Sequence, residues 1–161
     1  VLATVSMPRI HGNVVLWLER SEAGGMKVQL VDLSWPILTP LPLRTGVEAS
    51  WIDVGGRHVV WDEWDGTSHN VMSYDLWTGE TVSVVDTSAD ETRPATFFSS
   101  SGEDFVVWQE SSPEQSRILA RRITGHGFDG PDTEDPFYHV LASQRLSPDL
   151  VEKLSTASAK E

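Results

Sequence analysis

The sequence predicts an all-β chain of about three stacked, four-stranded antiparallel units, and three observations predict it. One strand is written three times: Gly12-Asn13-Val14-Val15-Leu16-Trp17-Leu18-Glu19, Gly56-Arg57-His58-Val59-Val60-Trp61-Asp62-Glu63 and Gly102-Glu103-Asp104-Phe105-Val106-Val107-Trp108-Gln109-Glu110. Its tryptophans recur after 44 and then 47 residues, and self-similarity at such a period marks stacked repeat architectures. Between the copies, short apolar–polar alternations are punctuated by Gly, Pro, Asn and Asp, the pattern of half-buried strands joined by tight turns.

The first unit opens on residues 1–6, where Val1, Ala3 and Val5 alternate as in a strand. Met7-Pro8-Arg9-Ile10 leads into the tryptophan strand at 13–19. Glu22-Ala23-Gly24-Gly25 turns, because paired glycines supply the positive φ of a tight hairpin. Lys27-Val28-Gln29-Leu30-Val31-Asp32-Leu33 returns with period two, and Ser34-Trp35-Pro36 ends it. Residues 37–43 make a further strand whose Pro40 and Pro42 confine it to a sheet edge, since proline removes a ladder donor.

The second unit is the clearest. Strands fall at 49–54, 58–63, 70–76 and 81–85, joined by Gly55-Gly56, Trp64-Asp65-Gly66-Thr67 and Trp77-Thr78-Gly79-Glu80. Four strands in about 45 residues is the anatomy of one propeller blade. The third unit repeats the plan with strands at 95–98, 104–110 and 117–123. A glycine- and acid-rich loop at 124–136 then leads to a last strand at 137–140. The lead-ins Met7-Pro8-Arg9-Ile10, Ala49-Ser50-Trp51-Ile52 and Arg93-Pro94-Ala95-Thr96 take the same place before their glycines. Units therefore span about 7–46, 47–90 and 91–141, with a tail at 142–161. In the tail, Ser147-Pro148 reads as a helix N-cap and first position, and Leu150, Val151, Leu154 and Ala157 share one helical face.

With the units laid out, the chain resembles a TolB-like β-propeller over residues 7–141. Val59-Val60-Trp61-Asp62-Glu63, Met72-Ser73-Tyr74-Asp75-Leu76 and Thr78-Gly79-Glu80 match that family's wording closely. Residues 28–33 and Leu119-Ala120-Arg121-Arg122-Ile123 match it more loosely. The resemblance implies a closed ring of several blades and names no activity. About three blades are too few for such a ring. Each blade buries its faces against neighbours, so a three-blade arc leaves two apolar faces bare, and apolar patches of that size are normally interfaces. Two copies closing a ring, docking onto a larger partner, or further blades elsewhere in a longer chain would each cover them.

Charge narrows the partners. The 161 residues carry 12 Lys+Arg against 24 Asp+Glu, a net charge of -12. That field repels phosphate, and the longest basic run is Arg121-Arg122, which disfavours nucleic acid and anionic membrane surfaces. Without cysteine, disulfides, thiolate nucleophiles and Cys-ligated zinc are excluded. No apolar run approaches the roughly 18 residues of a membrane helix, and no signal peptide is visible. The chain starts at Val1 rather than Met, which points to a processed or cut-out piece from which an export signal could have been lost. The expected location is periplasmic or extracellular, although the absence of Cys fits an exported and a cytosolic protein alike.

Candidate chemistry is sparse. Trp17, Trp61 and Trp108 recur at one strand position and are assigned to blade packing. Trp64 and Trp77 lie at turns beside acids, where exposed rings stack on sugars or peptide side chains; turn packing is the plainer role. Two acid clusters offer oxygen ligands for Ca²⁺. One is Asp62-Glu63-Trp64-Asp65-Gly66; the other supplies Asp129, Asp132, Glu134 and Asp135 as the candidate metal ligands. Neither matches the Asp-x-Asp-x-Asp-Gly calcium loop, so solvated turns are the competing reading. His11, His58, His69, His126 and His139 show no ligand spacing. There is no Gly-x-Ser-x-Gly elbow and no phosphate-cradling loop; paired carboxylates for glycoside chemistry stay open. No catalytic residue or other cofactor is assigned. The expected function is protein–protein association by a non-catalytic propeller segment. The alternatives are the propeller portion of a hydrolase or polysaccharide-degrading enzyme, and a carbohydrate-binding module using Trp64 and Trp77.

Overall fold

The computed structural model describes residues 4–85, 87–98, 104–124 and 127–128. Among these residues there are twelve strands and no helix. Strands consecutive in sequence pair antiparallel into three four-stranded sheets. Blade 1 is β1 (Val5–His11), β2 (Val14–Arg20), β3 (Met26–Asp32) and β4 (Leu41–Val47). Blade 2 is β5 (Ile52–Gly55), β6 (His58–Trp64), β7 (His69–Asp75) and β8 (Thr81–Val85). Blade 3 is β9 (Asp90–Phe98), β10 (Asp104–Ser111), β11 (Ser116–Thr124) and β12 (Gly127–Phe128).

Strand alternation decides how the blades stack, because successive side chains leave opposite faces of a sheet. Leu16, Leu18, Val28 and Leu30 of blade 1 share a core with Ile52, Val54, Val59 and Trp61 of blade 2. From the other face of blade 2, Val60, Val71 and Val84 share a second core with Val106, Trp108, Leu119 and Ile123 of blade 3. Blade 2 is therefore buried on both faces. Each fully buried Val, Leu or Ile contributes about 1.5–3 kcal/mol, so these two cores carry the stack.

Blades 1 and 3 share an irregularity that blade 2 lacks. The β1–β2 register slips between Ser6 and Arg9, opposite Trp17, and the β10–β9 register slips between Val107 and Gln109, at Trp108. A bulge leaves a residue outside the ladder, so Pro8 and Pro94 are accommodated there without a missing donor. Met7 and Arg93, each preceding that proline, both adopt a φ of 54°, in the left-handed region that non-glycine residues rarely visit.

Close approach of blades 2 and 3 depends on Gly55. A Cβ there would lie 2.7 Å from the Thr96 carbonyl oxygen, and Thr96 Oγ1 donates to the Gly55 carbonyl at 3.2 Å. Gly55→Ala is expected to cost about 1–3 kcal/mol by overpacking, read as a lower urea midpoint. An unchanged midpoint would mean that β5 and β9 do not pack this closely.

Five strands differ from expectation, β5 among them, which begins at Ile52 rather than 49. The innermost strand of blade 1 is β1 at Val5–His11, not residues 1–6, because the lead-in with Pro8 is itself the strand once the bulge absorbs the proline. Its last strand is β4 at Leu41–Val47 rather than 37–43: the strand starts beyond Pro40, and Ile37 and Leu38 lie exposed in the connection. It is an edge strand, as Pro42 requires. Register also aligns the lead-ins differently: Ile10 faces Val15, whereas the residue facing Val59 is Val54, not Ile52. In blade 3, β9 begins at Asp90 rather than 95, and β12 pairs Ile123 with Phe128 inside the stretch expected to be loop. The strand expected at 137–140 and the tail helix at 147–157 lie outside the described residues.

Candidate functional site: the outer faces of the end blades

The three tryptophan strands present equivalent faces with unequal partners. Trp61 lies opposite Met72, Trp108 opposite Leu119 and Trp17 opposite Gln29. The tryptophans of blades 2 and 3 point back at the preceding blade and are 0% and 1% exposed. Trp17 has no preceding blade among the described residues and is half-buried on the outer face of blade 1. Around it on that face lie Val15 and Val31, with Ile10 67% exposed.

The same face holds a small polar group. Glu19 accepts from Lys27 Nζ at 3.4 Å and from Gln29 Nε2 at 3.4 Å. The Gln29 side chain is buried, and its Oε1 has no hydrogen-bond partner among the described residues. A buried acceptor left unmatched costs about 1–3 kcal/mol, so a donor arriving on this face would be rewarded.

Among the described residues, nothing covers the opposite side of blade 3. Because Val106 and Trp108 face blade 2, Phe105 and Val107 face outward. Phe97 stacks on Phe105 with ring centroids 5.0 Å apart and planes within 8°. Ile118, across from Gln109, is 42% exposed, and Ala120 pairs with Val107. Among the described residues, the outer face of blade 1 thus sets Trp17, Val15 and Val31 beside Glu19, Lys27 and Gln29, and that of blade 3 sets Phe105, Val107 and Ile118 beside Gln109 and Arg122.

A buried polar centre ties blades 2 and 3 at one end of the stack. Arg57 Nη2 meets Asp75 Oδ2 at 2.7 Å. Arg57 Nε donates to His58 Nε2 at 3.3 Å, and His58 Nδ1 faces Ser73 Oγ at 3.4 Å. This arrangement selects the neutral imidazole protonated on Nδ1. Asp104 Oδ2 lies 3.5 Å from His58 Nε2, while its Oδ1 is buried without a partner among the described residues. The two are not a full ion pair. Burial holds His58 below its ordinary value, outweighing Asp104 and Asp75, and burial pushes the Asp104 carboxyl up despite His58 and Arg57.

The sign for His58 follows directly. As pH falls through about 6.5 the unfolded chain takes up the proton before the native one does, so native stability falls. Unfolding free energy should decline between pH 7.5 and 5.5 by at most about 1.4 kcal/mol per pH unit from this group. His58→Gln should flatten that limb in urea titrations; an identical slope in the variant would refute the assignment. Asp104 acts in the opposite direction, its cost appearing as pH rises above its unfolded value.

The acid cluster at 62–65 is not a set of solvated turns. Asp62 is 0% exposed: Oδ1 accepts from the Ser50 and Trp51 amides at 2.8 Å each, and Oδ2 from Ser50 Oγ at 3.0 Å and the Arg93 amide at 3.4 Å. Glu63 binds Arg44 Nη2 at 2.8 Å and Trp61 Nε1 at 3.0 Å. Asp65 does cap its turn. The Ser68 amide, the Thr67 hydroxyl and amide, and Asn70 hold its carboxyl far below the usual range. Each carboxylate is thus engaged separately, and no group of three or more metal-ligating side chains occurs among the described residues. Asp129, Asp132, Glu134 and Asp135 lie outside them.

Trp64 and Trp77 are not brought together. Trp64 ends β6 and packs at 5.0 Å on His69. Trp77 follows β7 at the opposite end of the blade, 81% exposed, with the Arg57 guanidinium 5.1 Å from its ring. A seven-residue strand separates them by roughly 20 Å, too far for one sugar ring to touch both. An open groove of about 380 Å³ between blades 1 and 2 is lined by Arg20, Met26, Val47, Glu48, Ser50 and His69.

No family model matches the sequence, and no curated protein matches it either. Solved structures do. A TolB protein from Agrobacterium tumefaciens superposes with a TM-score of 0.55 at 16% identity, over 69% of this chain and 39% of that one. An acylaminoacyl peptidase from Pyrococcus horikoshii gives 0.52 at 12% identity, over 80% and 24%. A chain of a nidogen/laminin complex gives 0.50 at 14% identity, over 74% and 44%. The chain therefore spans about two fifths of the TolB protein's length. Identities this low bear on fold alone, and with the three stacked antiparallel sheets they give a plain result: the described residues have the fold of a TolB-like β-propeller, as an arc of three blades.

Proposed function

We propose that this chain is a non-catalytic propeller segment that acts in protein–protein association, as a subunit of an exported assembly. The observation that carries the reading is the pair of end faces. Trp17 occupies the position that is fully buried in the other two blades, beside a buried, unmatched Gln29 oxygen. At the other end Phe105, Val107 and Ile118 take the positions that blade 2 covers with blade 3. Faces of this composition are the ones a propeller hides. Size-exclusion chromatography with light scattering tests it: the folded chain is expected to run as an assembly, and a stable lone monomer that binds no partner would overturn the reading.

A second reading, the propeller portion of a hydrolase, is favoured by one observation. Polar groups from successive innermost strands converge: Arg9 Nε lies 3.7 Å from Asp53 Oδ1, and Asp53 Oδ2 accepts the Thr96 amide at 3.0 Å. It predicts turnover of an acylated peptide or glycan substrate that Asp53→Ala abolishes. The association reading predicts none.

A further inference from the structure

We propose that the groove between blades 1 and 2 binds a small zwitterion, an apolar amino acid or dipeptide, with its carboxylate on Arg20 and its ammonium on Glu48. The groove measures about 380 Å³, and these two residues share its lining with Met26, Val47 and His69. That volume is at the small end of ligand pockets, which run from roughly 300 to 1,000 Å³.

The charges define the ligand. Arg9, Lys27, Arg44, Arg57 and Arg117 each have a carboxylate within 3.7 Å. Arg20 has none among the described residues, although the chain carries 24 acids against 12 bases. Glu48 likewise makes no ion pair or side-chain hydrogen bond among them. Two opposite charges thus line one groove without reaching each other. A ligand of one sign would be drawn by one and repelled by the other, whereas a zwitterion satisfies both. Its zero net charge also escapes the repulsion that the chain's net charge of -12 imposes on anions.

The walls are set before a ligand arrives. Gly25, at a φ of 71°, brings the β2–β3 turn so close to β4 that a Cβ would lie 2.9 Å from the Gly46 carbonyl carbon. From blade 2, the His69 amide donates to Asp90 Oδ1 at 3.1 Å, and His69 Nδ1 lies 3.2 Å from the same oxygen. The His69 ring also packs on Trp64 at 5.0 Å. Walls held in this way spare a ligand the cost of ordering them. Val47 and Met26 carry the first core out to the groove, an apolar surface for the ligand's side chain.

The test is a nuclear magnetic resonance titration of the full chain with leucine and with leucyl-leucine. Shifts are expected at the amides of Gly25, Met26 and Ala49, which border the groove. N-acetyl-leucine lacks the ammonium and leucinamide lacks the carboxylate; each should bind about tenfold more weakly than leucine, the scale of one lost charge-assisted hydrogen bond. Arg20→Gln should bind leucine and leucinamide alike, and Glu48→Gln should bind leucine and N-acetyl-leucine alike. Both residues are exposed, so neither variant threatens the fold. Binding of leucyl-leucine without leucine supports the site and assigns it to peptides. Shifts centred elsewhere, no binding of either probe, or leucinamide binding wild type as tightly as leucine overturns the proposal. The mass of the protein in solution does not enter, so that failure leaves the association reading untouched.

Discussion

Trp61→Ala is expected to lower the unfolding free energy by about 3–5 kcal/mol, the usual cost of emptying a tryptophan site in a packed core. Trp61 is fully buried, in the core that joins blade 1 to blade 2. Its indole also donates to Glu63 Oε2 at 3.0 Å, and Glu63 in turn holds Arg44 of β4. Truncation therefore opens a cavity and loosens an ion pair between the two blades. Trp77→Ala is the control, because that ring is 81% exposed and surface substitutions stay within about 0.5 kcal/mol. Urea denaturation of both variants separates the roles; comparable losses would mean that Trp61 does not carry the junction.

Asp62→Ala is expected to cost on the order of 3 kcal/mol, because buried donors left unmatched each lose their partner without regaining water. The side chain accepts from Ser50, Trp51 and Arg93, and so pins the segment before β5 and the bulged part of β9 to β6. Asp62→Asn should fall between wild type and alanine. It keeps one acceptor for the Ser50 and Trp51 amides but turns an NH₂ toward the Arg93 amide, which cannot accept. Thermal and urea unfolding read the ranking, and an asparagine variant less stable than alanine would contradict this geometry.

How far the fold could be read in advance depended on the range of the interactions involved. The tryptophan strands and their hairpin turns were legible because glycine positions, alternation and a repeated period are local signals. The last three strands of blade 2, with Gly56, Asp65-Gly66 and Gly79 at its turns, came out within one residue, whereas β5 begins at Ile52 rather than 49. Strand limits beside prolines were not. Pro8 reads as a break unless the bulge is known, and Pro40 moved β4 along by four residues.

The polar groups were harder. Asp62 stands in Asp-Glu-Trp-Asp-Gly, which reads as a solvated turn, yet it is buried by a strand whose amide arrives from 31 residues away. The only local hint was its place one residue after the packing tryptophan, inside the strand rather than past its end. His58 and Asp104 likewise meet only because blade 3 stacks on blade 2. The separation of Trp64 from Trp77 was legible in principle, since they flank opposite ends of the β6–β7 hairpin. The open faces follow from counting repeats, but which side chains line them needed the register.

The most direct test of the end faces as association surfaces exploits the absence of cysteine from the chain. Val15→Cys on blade 1 and Val107→Cys on blade 3 correspond to Val59 and Leu16, which share the first buried core. Under mild oxidation the two single variants, mixed, are expected to give a covalent pair joining one chain of each kind, and neither variant alone should give one efficiently. No cross-linking at all by a folded mixture of the two variants would contradict the end faces as association surfaces.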